Sequence, residues 1–531
     1  MNQNLEPGTI NPEPLRQFLV AVFLLLFVAA PRAQTTTAPQ VFDAVVADAM
    51  KTFHVPGMAV AVVKDGKTVL AKGYGVRKRG EPALVDERTQ FGIASNTKVL
   101  TALALGLLVE EQKLEWDAPV IRYLPWFRLS DPYVTRELTI RDLLVHRSGL
   151  GLGAGDLLWW PPSTYTRREI AERLQFIPLA TSFRAAYAYD NVLYLVAGEV
   201  IQAVTGRSWE NFVSSRLLQP MGMSASDVRH SAAAGGGNVA ATHAEVDGAV
   251  RPIAPFTSDN TNPAGGIMSG AADMAKWLQV FLARGELPNG TRLFSEATWR
   301  QVTTIVTPLA PTSPAAPLGA LRANFRGYAL GLGVQDYRGR PLFTHTGGLP
   351  GYVSRVAWMP EIGLGVAVLT NQEAGEAFNA VVWSVLDHYL GAKDTDWVRA
   401  YAQVKADAAA ALRKTESATA AARASSSRPS LPLASYAGTY ADAWYGDVVL
   451  AVENGRLAIR FTKTPVLVGD LEHWQHDTFV ARWRDRELRA DAFITFALTP
   501  DGTIEHAKMR PVSPSVDFSF DFQDLLLKPR R

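Results

Sequence analysis

Ser95 and Lys98 lie three positions apart at the start of an apolar stretch that runs to Val109. On a helix, residues at positions i and i+3 share a face, so the hydroxyl and the amine lie within reach of each other. A serine becomes a nucleophile when a base takes its proton, and a lysine is such a base only while it is partly neutral. Burial at the start of an apolar helix favours the neutral amine. Because roughly one Ser-x-x-Lys is expected by chance in a chain this long, the context has to decide.

Tyr189 and Asn191 form a second candidate group, just before a helix-like run. A tyrosine near Lys98 could share the role of base and pass a proton to the leaving group, and the Asn191 amide could hold a substrate carbonyl. Taken alone, Tyr189 is typical of a half-buried core aromatic residue and Asn191 of a helix start. Their position in the chain after Ser95 makes the pair suggestive.

A third candidate group, His345, Thr346, Gly347 and Gly348, lies on a predicted strand followed by a glycine-rich turn. Glycines allow the backbone to approach a ligand closely. A strand N–H that points at the acyl oxygen would supply half of an oxyanion hole, and the Ser95 N–H the other half. Taken alone, the segment favours a glycine-rich hairpin with an incidental histidine. The hypothesis of a site therefore depends on the combination of the three groups.

The segments that must position these residues alternate between strand and helix patterns. Strand-like runs at 58–63 and 68–76 flank an Asp-Gly pair, which is a strong hairpin signal. Four runs have helical spacing: 95–109, 139–144, 190–204 and 270–285. Gly206 follows the third of these runs as a C-cap. Three later runs are apolar and β-prone: 342–345, 353–359 and 364–370. This order predicts an α+β layer fold in which both ends of the domain share one sheet.

The chain changes character near residue 394. Residues 394–432 are Ala-rich and then Ser/Pro-rich, which predicts a solvated helix followed by a linker. Residues 433–531 contain Asn-Gly and Asp-Gly signals between short strand-like runs. We therefore expect a catalytic domain over 34–393 and a small all-β domain, a barrel or a sandwich, over 433–531.

An apolar run at 18–30 follows Arg16 near the N-terminus. Its length matches the core of a signal peptide and falls short of the roughly 20 residues that span a bilayer. We expect residues 1–33 to be a signal peptide, with a periplasmic or secreted bacterial protein as the product and no stable membrane span after its removal. An uncleaved anchor and a wrongly assigned start are the alternatives.

The composition excludes several classes of function. The 53 Lys and Arg residues nearly balance 51 Asp and Glu residues without a basic run, which argues against a nucleic-acid partner. There is no cysteine, so disulfides, thiolate zinc sites and a cysteine nucleophile are excluded. His473 and His476 have no third ligand at metal spacing, and we expect neither a metal nor a cofactor. We interpret His146 and Ser148 as scaffold, and Trp159 with Trp160 as either an apolar substrate wall or loop packing.

The sequence around the three groups resembles the β-lactamase-related serine hydrolases: class C β-lactamases, penicillin-binding DD-peptidases, D-aminopeptidases and esterases. The matching stretches run in order over about residues 40–390 and are FGIASNTKVLTALALGLLVEEQKL, ELTIRDLLVHRSGLG, YDNVLYLVAGEVIQAVTG, LLQPMGM, PAGGIMSGAADMAKWL and HTGGLPGYVSRVAWMPEIGLGVAVLTN. The resemblance implies an antiparallel sheet with helices on both faces and an all-helical lobe. It also implies a small lipocalin-like β-barrel after this domain, which we expect to shape or cover the cleft.

Carried over residue by residue, the resemblance implies Ser95 as the nucleophile, with Lys98 and Tyr189 as the proton-transfer pair. It also implies that Asn191 contacts the substrate and that His345 to Gly347 form the strand triad. The backbone amides of Ser95 and Gly348 are implied to form the oxyanion hole.

His345 departs from the β-lactamase pattern, because enzymes that bind a β-lactam carboxylate usually carry lysine there. A neutral imidazole attracts a carboxylate far less than an ammonium group does. We therefore expect a serine hydrolase that forms an acyl-enzyme with a small or linear peptide, D-amino-acid-containing peptides included, or with a small ester. A β-lactamase and a penicillin- or peptidoglycan-binding protein without turnover are the alternatives, and the sequence leaves the oligomeric state open.

Overall fold

An antiparallel sheet of eight strands forms the centre of the first domain in the computed structural model, which describes residues 38–311 and 313–530. The strands of this domain are β1 (Gly57–Lys64), β2 (Lys67–Gly75), β3 (Phe91–Gly92), β4 (His243–Val246), β5 (Ala249–Pro252), β6 (Met268–Ser269), β7 (Thr307–Leu309), β8 (Arg326–Tyr328), β9 (Gly333–Tyr337), β10 (Arg340–Leu349), β11 (Tyr352–Met359) and β12 (Leu364–Thr370). The order across the sheet is β2-β1-β12-β11-β10-β9-β8-β7, while β3 pairs with β6 and β4 with β5. The predicted signal peptide lies outside the described residues.

Helices cover both faces of the sheet. They are α1 (Ala38–Thr52), α2 (Lys98–Glu110), α3 (Pro132–Glu137), α4 (Arg167–Arg173), α5 (Val192–Thr205), α6 (Trp209–Val213), α7 (Asn262–Gly265), α8 (Ala271–Leu282), α9 (Glu296–Thr303), α10 (Gly375–Leu390) and α11 (Trp397–Ala421). Helices α1 and α10 pack on one face and α8 on the other. Helices α2, α4, α5, α6 and α7 pack on one another as a helical lobe beside the sheet. The predicted α+β fold class is confirmed.

The sequence of β1 is almost uniformly apolar because both faces of this strand are buried. Successive side chains of a strand point to opposite faces. Met58 and Val60 join the core with α1 and α10, whereas Ala59 and Ala61 join the core with α8 and the helical lobe. Val60 pairs with Val368 of β12, so the two ends of the domain share one sheet as predicted.

The strand and helix predictions near the sheet are confirmed with one exception. Asp65 and Gly66 turn between β1 and β2 with φ of 51° and 74°, the backbone that an Asp-Gly hairpin turn requires. The helix predicted over 139–144 is wrong, because only Asp142–Leu144 forms a single 3-10 turn. Thr139 and Asp142 form a capping box that starts this turn, because the Asp142 carboxylate accepts the Thr139 N–H and the Thr139 hydroxyl accepts the Asp142 N–H. The turn cannot continue, since His146 has a left-handed backbone with φ of 55°.

Helix α11 leaves the first domain as predicted for the Ala-rich segment. Its first turn is anchored by Trp397 and Tyr401, which are buried against α10, and most of its later residues are exposed. No helix in the described part of the chain is long and apolar enough to cross a membrane.

The last domain is a nearly closed antiparallel barrel. Its strands are β13 (Gly438–Asp442), β14 (Gly446–Glu453), β15 (Arg456–Phe461), β16 (Val468–Gln475), β17 (Thr478–Trp483), β18 (Ala492–Leu498), β19 (Ile504–Pro511) and β20 (Lys528–Pro529). The sheet order is β19-β18-β17-β16-β15-β14-β13-β20. Backbone hydrogen bonds between Ala507 and Leu527 join the two ends. The predicted small barrel is confirmed.

The barrel packs directly on the helical lobe. The Tyr165 hydroxyl donates to the Tyr445 carbonyl, and the Arg173 guanidinium donates to the Trp444 carbonyl at 2.8 Å. Apolar residues of both domains belong to one continuous core. This contact brings the segment after β19 to the mouth of the cleft between the sheet and the helical lobe.

Candidate active site

Ser95 lies in a short 3-10 turn, Ala94–Thr97, directly before α2 begins at Lys98. Side chains at i and i+3 eclipse each other in a 3-10 turn. The Lys98 Nζ accordingly lies 3.0 Å from the Ser95 Oγ. Strand β10 passes so close to this turn that a Cβ on Gly347 would lie 2.1 Å from the Ile93 carbonyl oxygen. Glycine at position 347 is therefore what lets β10 form the wall opposite Ser95.

The amine of Lys98 is fully buried. Besides Ser95, its Nζ contacts the Asn191 Oδ1 at 2.8 Å and the Ala264 carbonyl at 3.0 Å. Burial lowers the Lys98 pKa to about 7, although the carboxyl groups of Asp156 and Asp190 act in the opposite direction. Both the ammonium and the free amine are thus populated near neutral pH, and the free amine can accept the Ser95 proton.

Tyr189 lies beside this pair, with the Lys98 Nζ 4.9 Å from the centre of its ring. Burial raises the pKa of the Tyr189 phenol well above its usual value, and a hydrogen bond with Ser95 opposes that shift. The phenol therefore keeps its proton at neutral pH.

Asn191 precedes α5, but its side chain does not cap the helix. Its Oδ1 accepts from Lys98, and its Nδ2 donates to Asp156 Oδ2 at 2.9 Å. Asp156 is completely buried, and burial raises its pKa to about 7. The structure therefore places the predicted Asn191 in contact with Lys98 and adds a carboxyl group behind it.

The strand triad lies on β10 as predicted, and the His345 side chain is mostly buried although it lines the cavity described below. The His345 Nδ1 lies 2.6 Å from the Thr346 carbonyl, and its Nε2 lies 2.9 Å from the Tyr328 hydroxyl. A carbonyl only accepts hydrogen bonds, so Nδ1 carries the proton and Tyr328 donates to Nε2. Burial, followed by the charge of Lys98, lowers the His345 pKa to about 3. Thr346 and Gly348 alternate with it along the strand and are exposed.

A cavity of about 440 Å³ opens in front of these groups. Its lining includes all of the predicted site residues except Lys98 and Gly347. Trp159 and Trp160 form an apolar wall of this cavity and also pack against Phe256, so the predicted loop packing is confirmed and a contact with substrate stays a prediction. Asp517, Phe518 and Ser519 of the barrel domain complete the opposite side.

His146 lies behind the site in an aromatic cluster. Its ring centre is 4.2 Å from that of Tyr189 and 4.6 Å from that of Tyr328, and its Nδ1 accepts the Asp190 N–H at 3.2 Å. These contacts fit a scaffolding role. In the described residues, no group of three or more His, Asp or Glu side chains could hold a metal ion.

Sequence reasoning missed Asp156, Tyr328 and the barrel residues. Asp156 had a weak signal, since it is a single carboxylate in the apolar and glycine-rich stretch GLGAGDLLWW. Tyr328 and Ser519 had none, because their contacts arise only from tertiary packing.

Comparison with known proteins assigns the family. The Beta-lactamase family profile matches residues 42–390, which is more than half of the chain. The chain belongs to the Beta-lactamase family. A second profile, Domain of unknown function (DUF3471), matches residues 422–529 and so covers the barrel.

Individual relatives fit this family of hydrolases and penicillin-binding proteins. The chain is 28% identical over 508 residues to Unguisins hydrolase ungD of Aspergillus violaceofuscus (strain CBS 115571), covering 89% of this chain and 88% of that protein. It is 29% identical over 341 residues to Penicillin-binding protein 4 of Amycolatopsis lactamdurans, covering 62% of this chain and 85% of that protein. The octameric penicillin-binding protein homologue from Pyrococcus abyssi superimposes with a TM-score of 0.58 at 21% identity, covering 92% of this chain and 100% of that one. At that identity the likeness concerns the fold alone.

Proposed function

We propose that this protein is a serine hydrolase that forms an acyl-enzyme on Ser95. The observation that carries the proposal is the Lys98 amine, 3.0 Å from the Ser95 hydroxyl with a pKa lowered by burial to about 7. A buried amine with such a pKa is a competent base at neutral pH, and a serine needs one to become a nucleophile.

Lys98 is the first base in this scheme, because the Tyr189 phenol has a raised pKa and is still protonated. The Lys98 amine takes the hydroxyl proton as the Ser95 Oγ attacks the substrate carbonyl carbon, whose oxygen becomes an oxyanion. When the bond to the leaving group breaks, Tyr189 gives that group a proton and recovers one from the Lys98 ammonium. Water then attacks the ester carbonyl, its proton passes to the same pair, and Ser95 is released with a proton.

We assign the oxyanion hole to the backbone N–H groups of Ser95 and Gly348. Both residues line the cavity, and Gly348 has no neighbouring atom within 4 Å of the position of a Cβ. That space lets a substrate carbonyl approach the strand backbone. Preorganised N–H donors of this kind stabilise the charge that develops in the transition state.

The favoured substrate is the amide bond of a small or linear peptide, with small esters second. The cavity combines an apolar tryptophan wall with polar side chains such as Asn191, Gln335 and Thr346, so it can hold both the apolar side chains and the polar backbone of a short peptide. The neutral His345 offers little attraction for the carboxylate of a β-lactam. A relative named as a hydrolase supports turnover. We further propose that the protein acts outside the cytoplasm, where its predicted leader would direct it.

Penicillin binding without turnover is the second candidate. It is favoured by the similarity to a protein named Penicillin-binding protein 4. Slow loss of the acyl group from Ser95 would produce this behaviour with the same residues.

One labelling experiment tests the proposal. Purified protein is incubated with a fluorophosphonate probe and separately with a fluorescent penicillin, and the labelled peptide is mapped by mass spectrometry. A p-nitrophenyl ester and a D-Ala p-nitroanilide are assayed in parallel. We expect fluorophosphonate labelling on Ser95, turnover of the ester or the anilide, and poor acylation by penicillin.

The matched variants are Ser95→Ala and Ser148→Ala. Ser148 is a buried serine beside the scaffold residue His146, and its Oγ accepts a hydrogen bond from the Leu150 N–H. Ser95→Ala is expected to abolish labelling and turnover, whereas Ser148→Ala retains both. Activity retained in Ser95→Ala would place the nucleophile elsewhere, and labelling by both probes without turnover would favour the penicillin-binding candidate.

A further inference from the structure

Asp156 makes three side-chain hydrogen bonds in the interior of the protein. Its Oδ1 accepts from the Trp159 indole N–H at 2.8 Å. Its Oδ2 accepts from the Asn191 amide at 2.9 Å and from the Ser519 hydroxyl at 2.8 Å. A fully buried carboxyl group is costly unless it is well paired, so a residue held in this way has a specific role to explain.

The first consequence concerns the orientation of the Asn191 amide. An asparagine amide has one acceptor oxygen and one donor NH2 group, which can exchange places by rotation. Lys98 offers donors on one side of Asn191 and Asp156 offers acceptors on the other. Only the orientation with Oδ1 toward Lys98 satisfies both neighbours. Asp156 thereby fixes the acceptor that holds the Lys98 amine beside Ser95.

The second consequence concerns the barrel domain. Ser519 belongs to that domain and lies 363 positions after Asp156 in the chain. Two residues further on, the buried Asp521 carboxylate accepts the backbone N–H groups of Gly155 at 2.7 Å and Leu157 at 2.9 Å. The barrel thus holds the backbone on both sides of Asp156 as well as its side chain.

We propose that Asp156 is a positioning residue for Lys98, acting through the Asn191 amide and its own charge, and that the barrel domain holds Asp156 in this role through Ser519. This inference rests on the proposed function, in which Lys98 is the base. It gives the second domain a part in proton transfer at a site whose reacting groups all lie in the first domain.

The charge of Asp156 predicts the sign of a pH effect. The titratable groups that face Lys98 are the carboxyl groups of Asp156 and Asp190, the rings of Tyr189 and Tyr194, and the imidazoles of His146, His230 and His345. Of these, the two carboxyl groups raise the Lys98 pKa. Removing the charge at position 156 therefore lowers the Lys98 pKa and moves the acidic limb of the activity profile to lower pH.

The test is the rate of Ser95 acylation by a fluorophosphonate probe between pH 5 and 9, in the full-length protein and with the labelled peptide mapped. Asp156→Asn is nearly isosteric and removes the charge and the fixed acceptor. We expect a fall in the maximal rate of up to roughly 100-fold, the loss that misplacement of a reacting group produces. We also expect the acidic limb to move to lower pH by up to about one pH unit, because Asp156 is only partly ionised near pH 7. Ser519→Ala removes one hydrogen bond that favours the ionised form of Asp156. We therefore expect the acidic limb to move in the same direction by a smaller amount, with a rate loss of about tenfold or less.

Ser515→Ala is the matched control, since Ser515 is an exposed serine of the same segment whose hydroxyl hydrogen-bonds to that of Ser513. It is expected to leave the rate and the limb unchanged. A lower rate in Asp156→Asn with an unmoved limb would overturn the proposal, because a merely structural defect changes the amplitude alone. A limb that moves in Asp156→Asn but not in Ser519→Ala would overturn the part assigned to the barrel. Absence of Ser95 labelling in the unaltered protein would instead overturn the proposed function itself.

Discussion

The hydroxyl of Tyr328 donates a hydrogen bond of 2.9 Å to Nε2 of His345, the residue at which the sequence resemblance implies lysine in β-lactam-binding enzymes. The other nitrogen of the ring is occupied by the Thr346 carbonyl. Both ring nitrogens are therefore used within the protein, and burial lowers the His345 pKa to about 3. The side chain at this position holds the strand in place as a neutral group rather than presenting a positive charge to the substrate.

A neutral His345 predicts that the pH profile does not depend on this residue. His345→Gln keeps a neutral side chain that can still accept from Tyr328. Because the imidazole does not titrate between pH 5 and 9, the limbs of the kcat/KM profile are expected to stay where they are, with a loss of activity of about tenfold or less from the altered hydrogen bonds. Measurement of ester hydrolysis over this range checks the prediction. A displaced limb would mean that the imidazole gains a proton within the working range.

Lys98 predicts the position of the acidic limb. The active form is the free amine, so kcat/KM rises with pH and reaches half of its plateau near pH 7, the pKa to which burial lowers this lysine. Asp156 has a raised pKa near the same value, so the limb reports the coupled group rather than one residue. Lys98→Arg, whose guanidinium stays charged, is expected to lose about 10²- to 10⁴-fold in kcat/KM. Lys72→Arg, which alters an exposed ion pair with Asp43, is the control and should retain full activity.

The sequence was sufficient for the groups whose arrangement is local. Ser95 and Lys98 meet because three positions separate them, and the strands around the hairpin at Asp65 follow from alternation and turn chemistry. It was insufficient where the backbone turns into the left-handed region without a glycine, as at His146, and where partners come from distant segments. The role of Asp156 depends on Ser519, and that contact exists only after the two domains have packed together.

From the position of Phe518 in the cavity wall, we predict that the barrel domain limits the size of the acyl group. Its ring meets the Tyr189 ring edge-on at 6.1 Å and lines the cavity, while 41% of the residue remains exposed. Phe518→Ala widens this wall without touching Lys98. The ratio of kcat/KM for p-nitrophenyl octanoate to that for p-nitrophenyl acetate is expected to rise roughly tenfold, the usual effect of a changed apolar pocket contact. Phe176→Ala, at an exposed phenylalanine away from the cavity, should leave the ratio unchanged, and an unchanged ratio in both variants would contradict the prediction.

Asp521 predicts how the contact between the domains responds to mutation and to pH. Asp521→Asn retains one acceptor oxygen for two buried N–H groups, so one of them loses its partner, which costs about 1–3 kcal/mol in the free energy of unfolding. Burial raises the Asp521 pKa well above 3.8. Above about pH 4 the folded state therefore binds the carboxyl proton of Asp521 more tightly than the unfolded state does. The free energy of unfolding of the unaltered protein consequently falls as pH rises. The Asp521→Asn variant lacks this titrating group. The amount by which its free energy of unfolding lies below that of the unaltered protein is therefore expected to be smaller at pH 8 than at pH 5. Urea unfolding at both values measures the difference, with the exposed Asp501→Asn as a control that stays within about 0.5 kcal/mol at either pH. A deficit that grows between pH 5 and 8 would mean that the carboxylate is better stabilised in the folded protein than in water.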